Sequence, residues 1–295
     1  MHEFLNKCPY CGDPGSSPVL ESRDYFLTKE PFSVYKCDHC GLKFTNPRPS
    51  ADQIGKYYRS EQYISHTDTN RGLINKLYRL ARKFSVASKA RWIGRHRKTG
   101  LLLDYGCGTG EFLNHMEQRG WKVMGVEPDG SARKMAAWKY NLNVQPVSHL
   151  KELSGEVFDV ITLWHVLEHV YDLHEQMELL SGILGDDGLL FVAVPNSGSY
   201  DASFYGNYWA AWDLPRHLYH FDQNTLRKVL EDHGYRIIER IPMKMDAFYI
   251  SMLSEKYKNG GSGLLSGIYR GFISNIYAAK HQMNYSSIIF VARKV

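Results

Sequence analysis

At 295 residues the chain can bury one sizeable α/β core with a small domain to spare, and its 43% apolar and 23% charged content is that of a soluble globular protein. No run reaches the roughly 18 apolar residues of a membrane span, and the opening Met1–Lys7 lacks the apolar core of a signal peptide, so a cytoplasmic address is expected. A net charge of +5 is too mild, as a total, to indicate a nucleic-acid ligand.

The first motif is a paired Cys-x-x-Cys. Cys8-Pro9-Tyr10-Cys11-Gly12 and Cys37-Asp38-His39-Cys40-Gly41 hold four of the five cysteines. The spacing lets two thiolates from each tight turn reach one tetrahedral ion, and a glycine after each second Cys lets the turn close. Residues 1–48 therefore read as a structural zinc ribbon, with zinc held by Cys8, Cys11, Cys37 and Cys40. Four thiolates close the coordination sphere, so this zinc is not expected to be catalytic. His39 is read as exposed, and thiol redox chemistry is the alternative. Residues 49–98 read as a helical lid followed by a basic linker helix. The lid carries Ile54, Tyr57, Tyr58 and Tyr63 at near-helical spacing. They either pack on the main domain or bring Tyr58 or Tyr63 over the active site, and Tyr63 is taken as substrate-binding. From Arg71 to Lys98 ten basic residues occur with no acid, on an amphipathic helix with a cationic face. That face is solvated, or it meets an anionic acceptor or RNA.

The core begins at Leu101-Leu102-Leu103-Asp104-Tyr105-Gly106-Cys107-Gly108-Thr109-Gly110, a buried strand with an acid at its end and spaced glycines opening a helix. The glycines let a bulky ligand lie against bare backbone. Asp104 argues against a phosphate there and suits a cationic, hydroxyl-rich ligand. A P-loop is excluded, since no Gly-Lys-Ser/Thr follows. Glu127 ends the next apolar run, where an acid would meet ribose hydroxyls. Strands are expected at 101–104, 122–126, 143–146, 158–163 and 188–194, with helices at 110–119, 131–140 and 172–184. Ser131 is read as an N-cap and Asp186-Asp187-Gly188 as a turn into the fifth strand. The alternation implies a parallel sheet.

These motifs resemble the class I S-adenosylmethionine-dependent methyltransferases. The resemblance implies a Rossmann-like α/β sheet of seven strands, the last antiparallel, over 99–295, with S-adenosylmethionine as cofactor. Asp104, Gly106, Cys107, Gly108, Gly110, Glu127, Pro128 and Trp164 are the cofactor-binding positions it implies.

After the fourth strand comes Trp164-His165-Val166-Leu167-Glu168-His169-Val170-Tyr171-Asp172. Read as a helix, it places His165, Glu168, His169 and Asp172 on one face. The stretch resembles the Glu-His-Val segment of a branch that includes ubiquinone-biosynthesis O-methyltransferases. Some relatives use Glu-x-x-Glu-His for a divalent ion, and here His165 replaces the first Glu. The preferred reading puts His165, Glu168 and His169 in the catalytic set, with His165 or His169 as a metal-free general base; the alternative is a conformational role, with Glu168 and His169 capping or pairing with backbone.

A second unusual stretch, Tyr208–Phe221, joins Trp209, Trp212, Arg216, His217 and His220 in an irregular segment. It either anchors the core or shapes an acceptor site. Its Asp-x-Pro-Arg-His-Leu-x-His-Phe pattern resembles uncharacterised bacterial methyltransferases with an N-terminal ribbon. In that company His217 and His220 join the catalytic set, and Trp209, Trp212 and Arg216 bind substrate. Gln223-Asn224-Thr225 should cap a helix, with strands at Tyr235–Arg240 and Ser287–Lys294 enclosing a helical insertion at about 244–284. Asn259–Gly263 is read as a flexible break. Beyond it, Leu264, Leu265, Ile268, Tyr269, Phe272, Ile273, Ile276 and Tyr277 form an apolar stripe for packing on the acceptor side or against a homodimer partner. A membrane-surface contact lacks a lysine-rich polar face.

The reaction expected is in-line methyl transfer to a small-molecule or saccharide acceptor: at a hydroxyl because histidines and no nucleophilic Cys line the expected crevice, and of saccharide type because ribbon-bearing relatives include sugar C-methyltransferases. An RNA methyltransferase is the alternative. Against it, Asn/Asp-Pro-Pro-aromatic is missing after the fourth strand, and the only Cys outside the ribbon is Cys107, in the glycine loop. A non-catalytic S-adenosylmethionine binder is the third reading.

Overall fold

The computed structural model describes residues 2–58, 73–153 and 155–295, and of 73–82 the helical backbone alone. Tyr63 and the side chains of Arg71, Lys76, Arg79 and Arg82 lie outside the described residues. The elements run α1 (Leu73–His96), β1 (Leu101–Tyr105), α2 (Glu111–Glu117), β2 (Lys122–Val126), α3 (Gly130–Tyr140), β3 (Val144–Gln145) and β4 (Phe158–Trp164). They continue as α4 (Leu173–Ile183), β5 (Leu184–Pro195), α5 (Tyr200–Tyr205), α6 (Gln223–Asp232), β6 (Tyr235–Pro242), α7 (Lys244–Asn259), α8 (Leu264–Lys280) and β7 (Ser287–Lys294). One mixed seven-stranded sheet has the order β6-β7-β5-β4-β1-β2-β3, its last strand antiparallel.

Three local expectations are corrected. Asp129, not Ser131, caps α3, because its carboxylate accepts the Ala132 N–H. Asp186-Asp187-Gly188 lies within β5, whose pairing overrides the turn preference of those residues. Asp222 caps α6 in a reciprocal capping box with Thr225, one residue before the segment expected to do so.

The chain divides into two compact units. One comprises Glu61–Trp164, Glu178–Phe191 and Arg293–Val295. Here β1 lies between β2 and β4, parallel to both, with Asp104 opposite Gly125 on one side and Thr162 on the other. Leu102, Leu103, Val160, Ile161 and Leu163 are fully buried, as expected of near-continuous apolar strands covered on both faces.

The other unit comprises Met1–Ser60, His165–Met177 and Val192–Ala292. Its ribbon strands Ser16–Arg23, Pro31–Cys37 and Lys43–Thr45 form an antiparallel sheet that Tyr219–His220 extends at one edge. Phe32, Val34, Tyr57, Trp209, Trp212, Leu214 and Ile250 share one core, so the ribbon and the Tyr208–Phe221 stretch fold as a single body. No helix among the described residues is long and apolar enough to cross a membrane.

Candidate functional site

The glycine loop stands at the carboxyl end of β1. Gly106, Gly108 and Gly110 have φ of 73°, 56° and 80°, a conformation that glycine adopts without the steric cost of a Cβ. Their reasons differ. A Cβ on Gly110 would fall 2.6 Å from Leu142 and 3.0 Å from the Ala136 Cβ, so its bareness lets the loop pack on α3. A Cβ on Gly108 would meet nothing within 4 Å, so that backbone faces open space where a ligand can lie.

Glu127 braces the loop. Its Oε2 accepts the Gly108 N–H at 2.8 Å and its Oε1 accepts the Asp129 N–H at 2.9 Å. Each oxygen keeps a second lone pair, sufficient for ribose hydroxyls. Arg133 donates to the Glu127 and Pro128 carbonyls at 2.7 and 2.8 Å, fixing that corner. Asp104 is buried behind the loop, where the Thr162 hydroxyl donates to it at 2.6 Å. Burial pushes its carboxyl up to about 7, the Thr162 bond offsetting part of the rise. Burial, with Asp104 and Glu127 nearby, also raises Cys107, which stays a neutral thiol. At the tip of β4 the buried Trp164 ring meets Phe112 at 5.6 Å, and the Lys89 ammonium stands 4.7 Å over it. Its indole N–H has no partner among the described residues. The open face at Gly108 and the spare acceptors of Glu127 fit a nucleoside-bearing ligand.

In the other unit the segment after β4 is not a helix. His165 takes φ 59° and donates its backbone N–H to Ala193, and only Leu167–His169 forms a short 3-10 turn. The one-face helical reading of His165, Glu168, His169 and Asp172 is therefore replaced by a kinked turn that gathers three of them by another route. His165 lies 3.5 Å from Glu168 and 3.1 Å from Asp246 on α7. These two carboxylates outweigh burial and push His165 up to about 9, so it is cationic at neutral pH. As an imidazolium it offers a base no lone pair. Glu168, 1% exposed, is held below its usual range despite burial, chiefly by the His165 imidazolium beside it. Neither carboxylate oxygen has a hydrogen-bond partner among the described residues.

His169 Nδ1 lies 2.9 Å from the Arg216 carbonyl and 3.0 Å from the Tyr58 hydroxyl. A carbonyl only accepts, so Nδ1 carries the proton and Nε2 the lone pair. His217 is fixed likewise by the Ala211 carbonyl at 2.9 Å, and burial, then His169, pushes it down to about 4. One ligating atom from each of Glu168, His169 and His217 falls within 4.8 Å of the others. Carboxylate and imidazole donors of this kind also suit a divalent transition ion.

The remaining residues of Tyr208–Phe221 face inward. Trp209 donates its indole N–H to Asp201 at 2.8 Å and Trp212 to the Gly206 carbonyl at 2.7 Å, both within the buried core. Arg216 spends its guanidinium on Asp213, Asp24 and the Tyr57 carbonyl. His220 is buried 3.1 Å from the Thr45 hydroxyl, which itself donates to the His217 carbonyl. Asp246, which had no sequence signal beyond lying in the insertion, joins the cluster, as does Tyr58.

In the ribbon the Cys8–Cys40 and Cys11–Cys37 sulfurs are 3.6 and 3.5 Å apart. All four fall within 4.8 Å of one another. A tetrahedral zinc with bonds of about 2.3 Å has a sulfur–sulfur edge of about 3.8 Å, so the cluster fits. Gly12 and Gly41 close the two knuckles by donating to the Cys8 and Cys37 carbonyls, and His39 is exposed.

A family model described as a methyltransferase domain matches residues 74–240, which contain the glycine loop, Glu127 and the histidine turn. The chain belongs to this methyltransferase family. The C-methyltransferase NovU of Streptomyces niveus is 27% identical over 155 residues, 47% of this chain and 33% of NovU. A ubiquinone biosynthesis O-methyltransferase of Sinorhizobium fredii is 31% identical over 153 residues, 47% of this chain and 61% of the relative. Both matches thus cover less than two thirds of the relatives' own length. Two solved structures share the methyltransferase's fold at low identity. Magnesium protoporphyrin IX methyltransferase from Synechocystis, with bound S-adenosylhomocysteine, is 15% identical, with TM-score 0.54 over 82% of this chain and 99% of that one. A cyclopropane synthase of Mycobacterium tuberculosis is 14% identical, with TM-score 0.52 over 81% and 95%.

Proposed function

We propose that this methyltransferase acts on a small-molecule or saccharide acceptor at a hydroxyl, with His169 as general base and Glu168 as its electrostatic partner. One observation carries the reading. Glu168 is a buried, ionised carboxylate with no hydrogen-bond partner among the described residues, beside an imidazole whose protonated nitrogen is already fixed on a backbone carbonyl. The His165 imidazolium 3.5 Å away balances the Glu168 charge but leaves its oxygens without a hydrogen bond, and an unmet buried acceptor costs about 1–3 kcal/mol until a ligand supplies the donor. An acceptor hydroxyl donating to Glu168 or His169 Nε2, and the imidazolium formed after proton transfer, would each do so.

S-adenosylmethionine, when bound, supplies an electrophilic methyl on sulfur; the Gly106–Gly110 backbone and Glu127 are the groups that would hold it. The chain's own part is to position the acceptor and move its proton. An acceptor hydroxyl held at His169 Nε2 would pass its proton to that nitrogen, and Glu168 would stabilise the imidazolium so formed. Of the candidate histidines, the carboxylates beside His165 hold it as a cation and burial pushes His217 and His220 down, which leaves His169 as the proposed base. The relatives include both C- and O-methyltransferases, and a base at this position serves either nucleophile. Zinc held by Cys8, Cys11, Cys37 and Cys40 is structural in this reading.

The test is transfer of isotopically labelled methyl into fractionated extract, with and without ribonuclease and chelator. Label in a ribonuclease-resistant small-molecule or glycan fraction, lost in His169→Asn while cofactor binding persists, is the expected result. Label that disappears with ribonuclease would establish RNA as the acceptor instead. Activity lost on brief chelation and restored by one divalent ion would assign Glu168, His169 and His217 to a metal.

A further inference from the structure

Helix α8 is amphipathic in the reverse sense. Gly267, Gly271, Ser274 and Ala278 are its buried positions, spaced 4, 3 and 4 residues apart. A Cβ on Gly267 would fall 2.5 Å from the Met252 Cα, and one on Gly271 would fall 2.8 Å from the Phe248 Cα. Helices α7 and α8 therefore meet backbone to backbone, and no larger residue fits between them. The opposite face repeats the same spacing with large apolar side chains. Leu265, Tyr269, Phe272 and Ile276 are 82%, 61%, 57% and 44% exposed. Leu264, Ile268 and Tyr277 flank them, also exposed. A contiguous stripe of this kind marks an interaction surface.

Three features select a second copy of this chain as the cover. The first is register. About a centre between Arg270 and Gly271 the stripe is self-complementary when two copies run antiparallel. Tyr269 then meets Phe272 of the partner subunit, and Leu265 meets Ile276 of the partner subunit. The 4-3-4 spacing is that of a coiled-coil seam, and the mirrored order is what a twofold contact requires. The second is charge. Helix α8 has no acid and only two cations among its residues. Arg270 is stacked on Phe204 at 4.1 Å. Lys280 ends the helix, so in the antiparallel pairing the two copies of it stand about 28 Å apart at 1.5 Å per residue, beyond effective repulsion. The third is area. Together the seven side chains of this stripe expose about 800 Å² per copy, and a second copy that covers most of that reaches the lower range of specific interfaces. A lipid surface fits less well, because an interfacial helix turns a Lys/Arg-rich face to water. The other face of α8 is instead a Gly/Ser/Ala surface packed on α7.

We propose that the protein is a twofold dimer joined by antiparallel pairing of the α8 helices, with Tyr269 packed against Phe272 of the partner subunit at its centre. Analytical ultracentrifugation of the full chain tests this. Wild type should approach twice 34.0 kDa as concentration rises. Tyr269→Lys and Phe272→Glu, both at exposed positions, should each weaken association about tenfold or more while the melting temperature of the dilute monomer stays unchanged. An equimolar mixture of the two should reassociate, because the introduced charges then face each other across the seam. A wild type that stays monomeric at about 100 μM, or a dimer indifferent to both substitutions, would overturn the dimer. So would a monomer that floats with phosphatidylglycerol vesicles through this face. A mixture that does not reassociate would overturn the register.

Discussion

The placement of Arg216 makes a sharp prediction, because a buried cation can be mistaken for a substrate ligand. Its Nε and Nη2 donate to the Asp213 carboxylate at 2.9 and 2.6 Å, Nη2 also reaches Asp24 at 3.3 Å, and Nη1 donates to the Tyr57 carbonyl at 3.0 Å. Against the push of burial, Arg216 holds Asp213 down at about 2. Replacing it by Met removes the positive centre of this network. Breaking a buried pair from one side costs about 3–5 kcal/mol. Here two features set the loss near the lower end. Asp24 keeps the Phe26, Leu27 and Thr28 N–H donors, and Asp213 is 30% exposed and can rehydrate. A loss of about 3 kcal/mol lowers the melting temperature by roughly 6–12 °C for a chain of this size. Arg216→Lys keeps the charge but not the planar fork and should lose about half as much. Cofactor affinity, which belongs to the other unit, should change less than about twofold. The assay is thermal unfolding beside equilibrium cofactor binding and steady-state kinetics. An Arg216→Met protein that melts at the wild-type temperature but needs much more acceptor would refute the structural assignment and make Arg216 a substrate ligand.

Other outcomes follow from the same geometry. Glu168→Gln should reduce methyl transfer about 10²-fold or more with cofactor binding intact, read by isothermal titration beside turnover; full activity would exclude Glu168 from the chemistry. His165 should titrate near 9 by NMR. Because its folded value lies above the unfolded 6.5, its ion pairs contribute fully below about pH 6.5 and are lost as pH rises through 9. Asp246→Asn should move that midpoint down, and an unmoved midpoint would deny the pair. Gly108→Ala, pointing into open space, should cost cofactor affinity more than stability, whereas Gly110→Ala, wedged against Leu142 and Ala136, should cost about 1–3 kcal/mol of stability as well. Cys40→Ser should remove about one equivalent of zinc by metal analysis and destabilise the unit that shares the ribbon's core; retention of the metal would exclude Cys40 as a ligand.

What was legible in the sequence was what short-range chemistry dictates. The glycine loop after β1, the acid after β2 and the two cysteine knuckles are each set by residues within a turn of one another. The backbone they need can therefore be read from residue type. The clustering of the histidine turn was legible but its conformation was not. Its spacing suits a helix, yet His165 sits in the left-handed region and bonds Ala193 across the sheet, a tertiary contact that no local periodicity carries. Chemical roles followed the same division. His165, His169 and His217 are equivalent as letters. The two carboxylates beside His165, the Arg216 carbonyl beside His169 and the burial of His217 separate a cation, the base proposed above and a neutral imidazole. Two of those three determinants come from residues more than 40 positions away.

Helix α8 shows the same limit from the other side. Its apolar stripe was visible in the sequence, with packing on the acceptor side and contact with a homodimer partner as two open readings. The small residues between the large ones carried information against inward packing. Burying Leu265, Tyr269, Phe272 and Ile276 against α7 would hold the two axes at an ordinary separation of 8–10 Å and leave the glycine stripe facing water. Packing the glycines instead brings the backbones together, where Gly267 and Gly271 have no room for even a methyl group. Close approach gains dispersion contacts along both helices, but it turns every large side chain outward. The exposed stripe is thus the direct consequence of the glycine face, and a sequence that conserved volume on one face had to expose it on the other. A protein that keeps both has kept a surface whose apolar area only association can remove from water.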